Sequence, residues 1–235
     1  MTSRFPFNHP EIEAVLARLH KASRRDKWAL APNIPRYFWA SFRDRLKQGS
    51  GQHPMFRNVY SAVTEERGAL LYLVARAIRA MRVVEFGSSF GISAIYLATA
   101  VRDNAATESN LAAWVVGSEM EPGKCEQATG NLSAAGLAGI ATILPGDALE
   151  TLRAVEAPVD LVFLDGRKDL YLPVLKILKP KLREGAVILS DNIHSFKRDV
   201  APFLAYVQSG TNGFASSTVN ISDGMEFSVF QRSMD

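Results

Sequence analysis

An α/β fold built on a doubly wound, mostly parallel sheet is the class this sequence predicts, and three observations carry the prediction. From residue 81 onward, short apolar runs alternate five times with segments of helical period. Each of those runs closes on glycine, asparagine or an acid rather than fading into a long loop. The last two apolar runs have no helix between them and flank "SDG" at 222–224, which reads as a hairpin and adds an antiparallel edge to the sheet.

Taken in order, "MRVVEFG" (81–87) is a short buried strand and "ISAIYLATAVR" (92–102) the helix after it. "AAWVVGSE" (112–119) is the second strand, followed by a helix over 122–137 with Pro122 at its start, where a missing amide costs nothing. "ATILPGD" (141–147) and "ALETLRAV" (148–155) make the third pair, and "VDLVFLDG" (159–166) with the proline-interrupted "LYLPVLKILKPKL" (170–182) the fourth. "GAVILSDN" (185–192) precedes a helix over 197–210, and the hairpin occupies 214–232. Upstream, Ile12, Val15, Leu16 and Leu19 share one helical face. A proline-marked turn leads into the aromatic segment "YFWASF" (37–42), and 49–58 reads as a loop. Thr64 is placed to cap a helix over 65–80, with Glu66 and Arg67 in its first turn.

The chain of 235 residues has room for one α/β domain and an appendage, and 47% of it is apolar, enough for a substantial core. No apolar run approaches the length of a membrane span, and the first residues lack the order of a signal peptide. A single cysteine, Cys125, cannot form an internal disulfide and suits a reducing cytoplasm. The formal net charge of +3 is too small and too scattered for a nucleic-acid surface; "KASRRDKW" contains an acid and reads as a solvated helix face.

In open α/β sheets ligands sit beyond the carboxyl ends of the strands, so those ends hold the candidate site. The first, "EFGSSFG", places Glu85 before a tight turn at Gly87 and a helix opened by Gly91. Its spacing departs from the dinucleotide fingerprint, since glycine recurs after three residues and an acid precedes the first. At the second end Glu119 is placed to accept both hydroxyls of a ribose, with Glu121 as its solvated neighbour. At the third, Asp147 either caps the following helix, accepts from an adenine amino group, or does both. The fourth and fifth ends carry Asp165, and Asp191 with Asn192. If those strands are neighbours, about 4.8 Å apart, two carboxylates and an amide oxygen converge. That donor set suits Mg²⁺ or a similar divalent cation. Lys168 would stand beside it, its pKa lowered by the cation and by partial burial, as a general base. His194 is read as a loop histidine, Cys125 as a small core residue, and "YFWASF" with Trp28 as core packing rather than a lid over an aromatic pocket.

Together, "VVEFGSSFGIS", "SEMEP", "GDA", the Asp165–Lys168–Tyr171–Leu172 spacing and "SDN" resemble the motifs of class I S-adenosylmethionine-dependent O-methyltransferases. The cation-dependent catechol and caffeoyl-CoA type is the branch most similar, over roughly residues 60 to 231. The resemblance implies a Rossmann-like methyltransferase sheet for 61–235; residues 1–60 match nothing in the family and are read from their own pattern as a helical extension serving as lid or dimer contact. It implies S-adenosyl-L-methionine bound by Glu85, Gly87, Ser88, Gly91, Ser93, Glu119, Asp147 and Asp165, with Ser93 near the methionine carboxylate. It also implies a divalent cation, Mg²⁺ by preference, on Asp165, Asp191 and Asn192, catalysis by Lys168 and Asp165, a small hydroxylated substrate and a homodimer. Two departures bear on the substrate. Gly166 and Arg167 stand where the catechol enzymes carry bulkier, partly aromatic residues, and no carboxylate near Ser217 matches the one that grips the second catechol hydroxyl. The same fold also serves metal-independent N- or C-methyl transfer, or a non-catalytic subunit that only binds the cofactor. A nicotinamide dehydrogenase is disfavoured by the glycine spacing.

Overall fold

The computed structural model describes residues 9–30, 63–108 and 112–232. The aromatic segment 37–42 and the loop 49–58 lie outside those residues, as does the side chain of Trp28.

Seven strands form one sheet in the order β3-β2-β1-β4-β5-β7-β6. β1 (Arg82–Phe86), β2 (Trp114–Glu119), β3 (Ala141–Pro145), β4 (Val159–Leu164) and β5 (Leu182–Asp191) run parallel. β6 (Phe214–Val219) and β7 (Met225–Phe230) complete it as an antiparallel pair, with β7 against β5. The fold is therefore the doubly wound sheet with an antiparallel C-terminal edge that the alternation predicts. Strand order reverses between β1 and β4, which opens a crevice at their carboxyl ends.

Alternate residues of each strand feed two cores. On one face Val83, Leu161, Phe163, Val187 and Leu189 pack under α1 (Pro10–Leu30), α2 (Glu65–Ala77), α3 (Ile92–Ala105) and α4 (Pro122–Ala134). On the other, Val84, Phe86, Val162, Leu164 and Ile188 meet α5 (Ala148–Thr151), α6 (Tyr171–Leu178) and α7 (Lys197–Val207). α3 is buried along most of its length, which is why its sequence is apolar on every side. α2 rides close upon it, since a side chain at Gly68 would fall 2.3 Å from the Tyr96 ring. Ile12, Val15, Leu16 and Leu19 of α1 enter the same core, as their spacing predicts.

Thr64 caps α2, its hydroxyl accepting from the Arg67 amide. The helix ends at Ala77, three residues short of the predicted end. The segment expected to form one helix over 148–155 makes a single α-turn and then a 3-10 turn over 152–154. Pro173 does not interrupt α6. It occupies the first turn, where proline is tolerated, and the helix ends in a 3-10 turn that holds Pro180. Among the described residues no helix is long and apolar enough to cross a membrane.

Candidate active site

The crevice begins where β1 stops. Asp165 donates its backbone amide to Phe86 O at 2.9 Å, so the ends of β1 and β4 are stitched together. Gly87 then turns the chain with φ +91°, and a Cβ there would sit 2.5 Å from Gly166 Cα. Both requirements exclude other residues. The turn continues through Ser89, a non-glycine residue at φ 48°, to Gly91 at φ 81°, where α3 starts without a side-chain cap. The first amides of α3 therefore have no side-chain acceptor and carry the positive end of the helix dipole. Gly87, Ser88, Ser89, Ser93, Val63 and Asp165 line a cleft at this point.

Beside Ser88 and Ser93 of this lining stands Glu85, fully buried, and neither carboxylate oxygen has a hydrogen-bond partner. Burial pushes its carboxyl up to about 7, and the nearby charges of Asp165 and Glu119 push the same way. The Ser88 and Ser93 hydroxyls draw it down without closing a full hydrogen bond. The hydroxyl oxygens of Ser88 and Ser89 are likewise buried and unpartnered. A buried acid and hydroxyls left unsatisfied are costly unless a ligand completes them.

Glu119, at the end of β2, faces the same turn. Its Oε2 accepts from the Ser89 amide at 2.8 Å and its Oε1 from the Glu121 amide at 2.9 Å. Each oxygen keeps a lone pair free for a further donor. Asp147 caps α5 by accepting from the Leu149 amide at 2.8 Å and is exposed, so the capping half of its reading holds.

β4 and β5 are neighbours, with Leu164 opposite Ser190, so Asp165 and Asp191 emerge side by side. Lys168 Nζ lies 3.0 Å from Asp165 Oδ1, 3.2 Å from Asn192 Oδ1 and 2.6 Å from the Tyr171 hydroxyl. That hydroxyl in turn donates to Asp191 O at 2.9 Å. Asn192 adopts φ 60°, and its amide returns to Asp191 Oδ1 at 2.9 Å. Burial raises the Asp191 carboxyl to about 6, with the charge of Asp165 adding to the shift and Arg67 opposing it. The exposed ring of Phe196 lies 5.9 Å from Lys168 Nζ.

Sequence reasoning missed Arg67 as a site residue. It reaches over from α2, and its Nη1 donates to Asp191 Oδ2 at 2.7 Å in a pair closed off from solvent. Only its place in the first turn of α2 was readable. Among the described residues no cluster of three or more His, Cys, Asp or Glu is placed to hold a metal ion. The candidate set of Asp165, Asp191 and Asn192 has two such residues and an amide. His194 is an exposed loop residue against Asn220 Oδ1 and the bare face of Gly224. Cys125 is buried in α4 with its thiol toward Ile143 O.

This doubly wound sheet is similar to that of solved S-adenosylmethionine-binding O-methyltransferases, and residues 84–193, just under half of the chain, match a family model described as a methyltransferase domain. More particularly, the chain is similar to a catechol O-methyltransferase of Mycobacterium tuberculosis, 36% identical over 133 residues that make up 56% of this chain and 57% of that protein. The chain thus spans little more than half the length of that relative. Among solved structures it is similar to the cofactor-bound protein Rv0187 from MTB, with a TM-score of 0.67 and 25% identity over 83% of this chain and 96% of that one. It is also similar to the O-methyltransferase TomG from Streptomyces achromogenes in complex with SAM, with a TM-score of 0.63 and 26% identity over 73% and 82%. The resemblance carried by the five motifs is borne out in sequence and in fold.

Proposed function

We propose that this chain is an S-adenosylmethionine-dependent O-methyltransferase acting on a small hydroxylated, aromatic acceptor of catechol type, assisted by a divalent cation. The observation that carries the reading is the convergence of Asp165, Asn192 and Tyr171 on the Lys168 ammonium, with Tyr171 bonded on to Asp191 O and Asp165 bonded through its amide to the end of β1.

The residues suit the cofactor. Glu85, buried and unsatisfied, calls for a cationic donor such as the amino group of the methionine moiety. Ser88 and Ser93, with the uncapped start of α3, suit its carboxylate. Glu119 has lone pairs to spare for the ribose hydroxyls. When bound, the cofactor supplies a methyl group already activated on a sulfonium.

The residues also suit a hard cation. Asp165 Oδ1 and Asn192 Oδ1 already meet at one positive charge, and the Asp191 carboxylate stands beside them. Bound there, a divalent cation would make a coordinated hydroxyl more acidic. Lys168 moves the proton. Its neutral amine takes it from the acceptor hydroxyl and becomes the ammonium that Asp165, Asn192 and Tyr171 are arranged to accept from. The anionic oxygen left behind must lie in line with the methyl group, and Asp165 and Asp191, carried on neighbouring strand ends, are the residues that would hold it there. A metal-independent transfer is the second reading, favoured by one observation: Arg67 and Lys168 already give each carboxylate a counter-cation.

The test is calorimetric titration with S-adenosylhomocysteine and with NAD, followed by transfer of labelled methyl to a panel of catechols with added Mg²⁺ or excess EDTA. Binding of S-adenosylhomocysteine but not NAD, and Mg²⁺-dependent label in a phenolic oxygen, is the expected result. Label that persists in EDTA supports the second reading, and label on nitrogen or carbon, or none at all, overturns O-methyl transfer.

A further inference from the structure

The turn over residues 87–91 is closed by a bond of its own, from the Gly91 amide to Ser88 O at 2.7 Å, yet it holds one residue in a conformation that residue does not favour. Three of its five residues have positive φ, and Ser89 among them has no glycine-like freedom. Such a turn persists only when groups outside it determine its shape. Two side chains beyond the turn and its own strand do so. Glu119 accepts from the Ser89 amide, and Asn131 of α4 donates its Nδ2 to the Phe90 carbonyl at 3.0 Å. Phe90 lines the cleft directly.

Asn131 is buried, and its amide works only one way round. Were it flipped, its oxygen would face the Phe90 oxygen. Its orientation is set from the far side, where Arg18 Nη2 donates to Asn131 Oδ1 at 2.8 Å. Arg18 belongs to α1, which is held in place by Ile12, Val15, Leu16 and Leu19 in the core under the sheet. α1 lies outside the segment that matches the methyltransferase model.

We propose that Asn131 and Arg18 are positioning residues for cofactor binding, so that α1 braces the β1 turn from behind through a relay from Arg18 to Asn131 to the Phe90 carbonyl. The inference rests on the cofactor reading above. It assigns a task to the N-terminal helix that concerns neither the acceptor nor a second subunit.

The experiment is titration of the full chain with S-adenosylhomocysteine, comparing the wild type with Arg18→Met, Arg18→Lys, Asn131→Leu and the Arg18→Met/Asn131→Leu double variant. Asn131→Leu is expected to weaken binding by about tenfold and Arg18→Met by about threefold, one hydrogen bond's worth or less. Arg18→Lys recovers most of the loss, and Arg18→Met costs nothing further once Asn131 is Leu. An Arg18→Met affinity equal to wild type, with or without a lower melting temperature, overturns the relay, as does the same loss in both backgrounds. A wild type that binds no S-adenosylhomocysteine overturns the cofactor reading instead. Should Asn131→Leu fail to fold, hydrogen exchange at the Ser89 and Gly91 amides of Arg18→Met decides. Faster exchange there with β4 unchanged is expected, and unchanged exchange overturns the proposal.

Discussion

Arg67 Nη1 donates to Asp191 Oδ2 across 2.7 Å, joining the first turn of α2 to the last residue of β5. Both side chains are removed from solvent, so neither charge can be hydrated if the other is lost. Breaking a buried pair from one side costs about 3–5 kcal/mol, because the remaining charge is left uncompensated. Arg67→Met is therefore expected to lower the unfolding free energy by roughly that amount, measured by denaturant titration. Arg67→Met combined with Asp191→Asn leaves no buried charge and should be more stable than Arg67→Met alone. A double variant as unstable as the sum of the two single ones would show that the pair is not the source.

Glu85 sets a pH dependence whose sign can be worked out. Its folded carboxyl titrates at about 7, driven by burial, well above the ordinary glutamate range. Between the unfolded and folded values the native state binds more protons than the unfolded one, so stability falls as pH rises through that window. The contribution is fully present below about pH 4.3, the unfolded glutamate value, and lost as pH passes 7. A ligand-free thermal unfolding series from pH 5 to 8 should show this fall, and Glu85→Gln should flatten it. Binding runs the other way. A cationic amino group needs the ionised carboxylate, so affinity for S-adenosylhomocysteine should rise with pH over the same range. An affinity independent of pH from 6 to 8 would remove Glu85 from the cofactor site.

What the sequence disclosed and what it withheld divide along physical lines. Asp165, Asp191 and Asn192 were legible because each ends an apolar run, and parallel strands bring their ends to one edge whatever their order. Thr64 was legible because a capping hydroxyl acts on its own neighbours. Arg67 was not, since its partner lies 124 residues away and the pairing depends on how α2 lies over the sheet. Arg18 and Asn131, 113 residues apart, were hidden for the same reason. Pro173 misled because proline disrupts a helix interior but not its first turn, and only the structure says where that turn falls. Asp147 kept two readings because its cap is a local contact and an adenine contact is not.

Tyr171 tests how far Lys168 depends on its acceptors. The hydroxyl is fully buried, accepts from Lys168 Nζ at 2.6 Å and donates to Asp191 O at 2.9 Å. Tyr171→Phe keeps the ring between Phe86 and Phe203 and removes only that oxygen. The ammonium formed by proton transfer then loses one of three acceptors. Turnover should drop by about tenfold, the value of one hydrogen bond to a charged group, while affinity for S-adenosylhomocysteine stays unchanged. Lys168→Met should go further, losing about 10²–10⁴-fold as a deleted general base does. Single-turnover transfer to a catechol separates the two, and a Lys168→Met variant at near wild-type rate would exclude Lys168 as the base.

Gly87→Ala probes the turn on which the cofactor reading depends. The residue sits at φ +91°, which an alanine adopts only under strain, and the new methyl would fall 2.5–2.9 Å from the backbone of Asp165 and Gly166. Those atoms belong to the end of β4 and cannot swing aside as a side-chain tip can. Relief must come from parting the ends of β1 and β4, which stretches the Asp165 amide bond to Phe86 O and shifts Asp165 itself. Two losses should therefore appear together. S-adenosylhomocysteine affinity should fall by at least tenfold as the turn opens, and the ligand-free protein should lose about 1–3 kcal/mol, typical of overpacking at a rigid site. Calorimetric titration and thermal unfolding on the same preparation check both, and a variant that binds as tightly as wild type would place the cofactor elsewhere than at the β1 turn.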